Sequence, residues 1–237
     1  KRASAQGIFL KLAGDMQGAS SEQPTPVFVA PRMAWHPATF LGSQGMDVGL
    51  FDQVQQREPL LAEDREAFYQ LLATVGRTNQ AELRTAAQAT DAQFTSLAEE
   101  RGKEIGLPFV IGELLKNPRA YAGDVFEFTG VLKRAVKVRV PDSDVRQRFG
   151  IDHYYELQVF LNLEYVIGDG ETKHRFQSYP VTVCVRQLPP GFPEGEKLRE
   201  MVRVSGVLMK IWAYQSEFAL DQGENKRQMA PLLVAPT

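Results

Sequence analysis

The chain has 237 residues, 43% hydrophobic and 24% charged, with a formal net charge of −2 and a pI near 6.0. That length carries a real core, and that balance gives the whole chain no attraction for nucleic acid or an anionic membrane, leaving only local basic strips to consider. The single cysteine, Cys184, excludes an intrachain disulfide and a multi-cysteine metal site, and no apolar run reaches the roughly 18 residues of a membrane-spanning helix.

The sequence opens on Lys1 and Arg2 rather than Met. This leads to the expectation of a trimmed or a processed form; a signal or anchor removed ahead of Lys1 is one way to that start, and it leans the expected place toward the cell envelope or outside the cell. Residues 1–37 read as an irregular lead. Gly18 to Pro26 is small and polar, the apolar run Val27 to Ala30 is stopped by Pro31, and Trp35 is the expected anchor of an extended segment.

From Met46 the apolar spacing becomes helical. Leu50 and Val54 share a face, and the segment stops before Pro59. A stronger helix carries Leu61, Phe68, Leu71, Leu72 and Val75, with Glu63, Asp64 and Glu66 near its positive end and Gly76 just beyond it. A third starts at Asn79, with Glu82 three residues on as in a capping box. Its stripe is Leu83, Ala86, Ala87, Phe94 and Leu97, and Gly102 and Gly106 break it. Short loops predict antiparallel neighbours among these helices. A last apolar turn, Phe109 to Leu115, halts at Asn117 and Pro118.

After Gly123 the period changes to two. A long strand runs from Asp124 to Val140, with Val136, Val138 and Val140 alternating with Lys137 and Arg139. The second, Tyr155 to Val166, sets Tyr155, Leu157, Val159, Leu161, Leu163 and Tyr165 against Glu156, Gln158, Phe160, Asn162 and Glu164. That alternation predicts a half-buried antiparallel strand. Gly168-Asp169-Gly170 supplies a hairpin turn into a third strand marked by Val181, Val183 and Val185. Pro189 and Pro190 end it, and Glu194 to Glu200 has room for one or two helical turns. A fourth strand, Met201 to Tyr214, bends at Gly206. After a polar connection over Asp221 to Arg227, Leu232 to Val234 closes the set. The expectation is an α+β chain: an extended lead over 1–37, a helical segment over 38–117, and a five-stranded antiparallel barrel over 118–237 with the helical segment packed on it.

This order of strands resembles the OB-fold, a five-stranded Greek-key barrel. The resemblance rests on Tyr121 to Val125 leading into Phe128 to Leu132, on Val202 to Val207, and on Ala230 to Val234. The chain as a whole also resembles a bacterial family of unassigned activity that joins a small helical segment to such a barrel. The stretches that prompt this are Trp35-His36-Pro37 with Leu41, Gly42 and Asp47, and Lys210 to Tyr214 with Ala230 to Leu233. The resemblance implies no activity of its own.

Catalytic patterns are missing from the sequence. His36, His153 and His174 are not spaced as a metal pair on a helix, although a zinc site of His153, His174 and a carboxylate across the hairpin is conceivable. Cys184 alternates with Val183 and Val185, which suits filler in a strand better than a nucleophile. There is no nucleophile elbow, phosphate loop or dinucleotide turn, and no carboxylate pair is fixed by spacing. No cofactor and no metal are expected.

A binding surface remains. OB-type barrels take ligands across the face of strands two and three, using aromatic and basic groups. The candidate residues are Arg134, Lys137 and Arg139 with Lys133 on the first strand, and Phe160 alone on the polar face of the second. Trp212 and Tyr214 form a further aromatic pair, read as core or domain contact before ligand platform. Asp142, Asp144, Glu156 and Glu164 dilute the basic strip, and Phe160 also suits packing under the helices. The leading expectation is therefore a non-catalytic module with a protein partner. The alternative is single-stranded nucleic acid or oligosaccharide bound on the OB-like face.

Overall fold

A computed structural model describes residues 2–5, 7–13, 25–31, 33–167, 174–214 and 227–237. The predicted turn at Gly168 to Gly170 and most of the connection before Arg227 lie outside these residues. The chain divides into two compact units, Lys1–Gly49 and Leu50–Thr237.

The first unit is not the irregular lead that its composition suggests. Strand β1 (Arg2–Ala5) pairs antiparallel with β4 (Met33–His36), and β2 (Ile8–Ala13) pairs antiparallel with β3 (Thr25–Val29). The two pairings follow one another along the same two chain segments, giving a β-ribbon. Its base is tied by Asp47, whose Oδ1 accepts from Trp35 N at 2.8 Å and Gly49 N at 3.2 Å. His36 Nδ1 donates to Met46 O at 2.8 Å. The anchor at Trp35 is thus its backbone amide, while its ring stays 40% exposed. A short helix, α1 (Phe40–Ser43), follows, with Thr39 Oγ1 accepting from Gly42 N.

The second unit is built on five strands: β5 (Val125–Arg139), β6 (His153–Ile167), β7 (His174–Val185), β8 (Glu200–Tyr214) and β9 (Gln228–Ala235). They close a barrel in the order β5-β6-β7-β9-β8, with β5 returning to β8. The barrel is OB-like, but it is mixed rather than all antiparallel. β7 and β9 run parallel, Thr182 against Leu232 through Val185 against Ala235. Alternation reveals which face a residue takes and says nothing of strand direction, so this pairing was beyond the sequence.

Phe126, Phe128, Leu132, Ala135, Leu157, Val159, Leu161, Val181, Val183, Leu208, Ile211 and Leu233 fill the interior. Three of the strands change phase, β6 among them, between Asn162 and Tyr165. β5 shifts register between Leu132 and Arg134, and β8 between Leu208 and Lys210. Core positions therefore step by three, from Leu132 to Ala135 and from Leu208 to Ile211, as an extra residue in a strand demands.

The helices pack on the barrel rather than forming an antiparallel bundle. Helix α2 (Arg65–Val75) lies on β9, and α3 (Gln80–Glu100), capped by Asn79 Oδ1 on Ala81 N at 2.8 Å, lies on β5 and β8. Helix α4 (Leu107–Lys116) contributes Ile111 and Leu114 to the barrel core, and α5 (Pro118–Tyr121) leads into β5. Burying side chains such as Leu71, Leu72 and Leu114 contributes roughly 1.5–3 kcal/mol each.

The helices are also not confined to the front of the chain. Helix α6 (Ser143–Phe149) sits between β5 and β6, with Asp142 Oδ1 accepting from Asp144 N at 2.8 Å and Gly150 in the left-handed conformation behind it. A 3-10 helix over Val48–Gln53 replaces the helix expected toward Pro59. Glu194 to Arg199 forms no helix; Gly195 bridges Ala135 instead.

Beyond its pairing with β5, β8 has one edge left over. The segment before α2 closes it: Arg57 N donates to Ile211 O at 2.6 Å and Ala213 N donates to Glu58 O at 3.3 Å. Gln56 Oε1 accepts from Ile211 N at 2.8 Å. An open strand edge would invite pairing with another chain, and these bonds remove it.

Candidate functional site

The outer wall of β5 and β6 holds most of the residues singled out above, and register decides which. Cross-strand partners share a face. Val131 opposes Phe160, Arg134 opposes Gln158 and Val136 opposes Glu156, all pointing outward. Leu132, Ala135, Lys137 and Arg139 oppose Val159, Leu157, Tyr155 and His153, on the face that continues the barrel interior. The bulge at Lys133 thus divides the basic strip. Arg134 shares the outer wall with Phe160, whereas Lys137 and Arg139 belong to the other face.

Arg134 is already engaged. Its Nη1 donates to Glu156 Oε1 at 2.7 Å and its Nε to Glu196 Oε2 at 2.6 Å. Desolvation works against its charge, but the bonds to Glu196 and Glu156 outweigh it and hold the guanidinium above its ordinary pKa. Lys133 is different: its Nζ lies 4.3 Å from the centre of the half-buried Phe160 ring, a cation–π contact. On the other face Lys137 Nζ lies 5.8 Å from the Tyr155 ring, and His153 Nδ1 is 2.6 Å from Asp152 Oδ1.

The outer wall continues across the sheet. Phe160 opposes Pro180 on β7, and Trp212 on β8 opposes Ala230 on β9. Trp212 stacks on Tyr214 with ring centres 5.1 Å apart. Pro180, Thr182 and Ala230 between them are buried. Burial, then Tyr165 and Glu156, push the Tyr214 hydroxyl well above the ordinary phenol range. The structure therefore turns Arg134, Phe160, Trp212 and Tyr214 to the outside of the barrel, on β5, β6 and β8, and sets Lys137 and Arg139 on the other face.

The other end of that wall is covered. Phe68 of α2 meets Tyr154 edge-on at 5.2 Å, and Cys184 is fully buried. Burial, then Glu156, raises the thiol well above its model-peptide value, the reverse of an activated nucleophile. The zinc site is ruled out by register. His153 opens β6, and His174 pairs with Ile167 at its far end, about 45 Å away along the strand.

Sequence reasoning missed a cleft of about 260 Å³ between α3 and the sheet. Arg84, Ala87, Gln88, Asp91, Glu127 and Arg203 line it. Ser205 Oγ donates to Glu127 Oε2 at 2.7 Å and Arg203 Nε lies 3.5 Å from Glu127 Oε1. Burial, then the charge of Glu127, raises the Asp91 carboxyl. The only sequence signal was period: Asp91 lies four residues from Ala87 on the helix, and Glu127 falls on the outward phase of β5.

No family model matches the chain, and no curated protein sequence matches it. Among solved structures it is similar to a small single-stranded DNA-binding protein from Streptomyces coelicolor. The two are 10% identical over 47% of this chain and 87% of that one, with a TM-score of 0.28. A likeness of that size assigns no ligand.

Proposed function

We propose that the chain is a non-catalytic interaction module that engages a protein partner through its β-ribbon. On this reading residues 1–37 are the engaging arm, 38–117 the clasp around the barrel and 118–237 the barrel itself. One observation carries it. Ile8, Phe9, Leu10, Phe28 and Val29 are between 51% and 74% exposed. Ile8 pairs with Val29 on one face and Phe9 with Phe28 on the other, so neither face of the ribbon is covered. A two-stranded ribbon is marginal alone in water, and contiguous exposed apolar surface marks an interaction site. Where the protein works, the ribbon should be covered, which radical footprinting of Phe9 and Phe28 in the cell tests.

A second reading is favoured by the contact of Lys133 with the Phe160 ring: a single-stranded nucleic acid stacked on the outer wall. A base on the Phe160 ring with its phosphate at Lys133 would give salt-sensitive binding of a short oligonucleotide. Phe160→Ala should then weaken binding by about tenfold, the lower range of one stacked base. Arg139→Ala, on the opposite face, should leave it unchanged. Binding unaffected by Phe160→Ala, in a fluorescence titration at two salt concentrations, would remove this reading. An oligosaccharide on the same ring would lose affinity with Phe160→Ala and show no salt dependence.

A further inference from the structure

We propose that the cleft between α3 and the sheet binds a small zwitterion of the amino-acid and dipeptide class, its amino group at Asp91 and Glu127 and its carboxylate at Arg84. The site is separate from the ribbon and from the Phe160 ring, and it stands or falls without them.

Geometry is the first argument. Arg84, Gln88 and Asp91 fall at i, i+4 and i+7 of α3, so their side chains leave one stripe of the helix. With Glu127 of β5 and Arg203 of β8 they line the cleft, and the buried Ala87 lies among them. Among the described residues, the side chains of Arg84, Gln88 and Asp91 make no hydrogen bond and no ion pair. Arg203 has only its 3.5 Å approach to Glu127, and its side chain is 65% exposed. Helix and sheet thus meet here through polar groups that leave one another unsatisfied.

The placement of charge is the second. Asp91 lies close enough to Glu127 for that carboxylate, after burial, to raise the Asp91 carboxyl. An ammonium between the two removes the repulsion. Arg84 stands two turns from Asp91 along the helix, about 10 Å at the rise of an α-helix. Its guanidinium is a fork that matches a carboxylate. An extended dipeptide is about 7 Å long, and the reach of the two side chains covers the difference.

Other ligand classes fit the lining less well. Ala87 is the one apolar side chain there, and no aromatic ring offers a base or a sugar a surface to stack on. An anion alone would meet two carboxylates. A metal ion would meet two guanidiniums, and among the described residues no three His, Cys, Asp or Glu side chains converge as a metal site. The cleft, about 260 Å³, also falls below the roughly 300–1,000 Å³ of sites for drug-sized molecules.

Calorimetric titration of the full chain with glycylglycine tests this. The expected result is saturable one-to-one binding with a midpoint of about 1 mM or tighter. N-acetylglycylglycine lacks the ammonium and glycylglycinamide lacks the carboxylate, so each should bind about tenfold more weakly or worse. Asp91→Asn and Arg84→Gln should each lose about tenfold with an unchanged thermal transition, because neither side chain belongs to the core. Arg139→Ala, outside the cleft, should bind as the unaltered chain does. No saturable heat with glycylglycine would overturn the proposal. So would equal binding of the singly charged relatives, or binding that survives both cleft variants.

Discussion

Replacing Lys210 with Ala should cost the second unit about 3–5 kcal/mol, the range for orphaning one member of a buried ion pair. Lys210 and Asp64 are both 0% exposed, with Lys210 Nζ donating to Asp64 Oδ2 at 2.5 Å and to Pro59 O at 3.0 Å. Asp64 also receives two backbone amides, Gln55 N on Oδ1 and Leu61 N on Oδ2, both at 3.2 Å. One carboxylate thus ties the start of α2 to the fourth strand of the barrel.

The two halves of the pair are not equivalent. Without Lys210, Asp64 keeps two N–H donors. Without Asp64, the ammonium keeps a single carbonyl and two amides lose their acceptor. Asp64→Ala should therefore be the more damaging change. Lys210→Met with Asp64→Asn should recover part of the loss, because no unpaired charge remains and the Asn oxygen still accepts. Urea unfolding midpoints of the three variants measure this. Equal, small shifts in all of them would show that the pair does not hold the clasp to the barrel.

Gly130→Ala should destabilise the barrel by about 2–3 kcal/mol, as overpacking at a rigid contact does. A Cβ at Gly130 would sit 2.6 Å from Phe160 O and 2.9 Å from Val159 Cγ1. At this point β5 passes from pairing with β8 to pairing with β6, and the β6 backbone comes close only because no side chain intervenes. Gly112→Ala in α4 should have the opposite sign. Nothing lies within 4 Å of a Cβ there, so the change gains helix propensity, about 0.5–1 kcal/mol. Thermal melts of both variants side by side separate the two effects. A neutral Gly130→Ala would mean that β5 and β6 are not held at this approach.

Much of the barrel was legible because its strands are half-buried. Tyr155 to Leu163 alternates, and β6 spans His153–Ile167, with its register shifting between Asn162 and Tyr165, so that Tyr165 leaves the face of Leu163 that period two gives it. The bulges were legible in principle: Leu132 to Ala135 and Leu208 to Ile211 are steps of three between apolar residues in otherwise period-two runs. Reading through the first of them merged two faces into one basic strip. Helix α6 also had its signals, Asp142 at the N-cap and Gly150 beyond the end, but seven residues are too few for periodicity to register.

Other features had no local signature. The parallel pairing of β7 with β9 follows from chain path, not from composition. Lys210 falls on the outward phase of β8, which in isolation reads as solvent. It is buried because Asp64, 146 residues away, lies over it. The ribbon was missed for the reverse reason. Ile8, Phe9 and Leu10 form an unbroken apolar run, which matches neither period, because both faces of that sheet are apolar.

The central claim is that the ribbon is covered when the protein works, and hydroxyl-radical footprinting reads it directly. Phe9, Phe28 and Met33 should be labelled several-fold less in the intact cell than in the dilute purified chain, relative to Met201, which is 70% exposed on β8. Equal labelling of the ribbon in both settings would contradict the account.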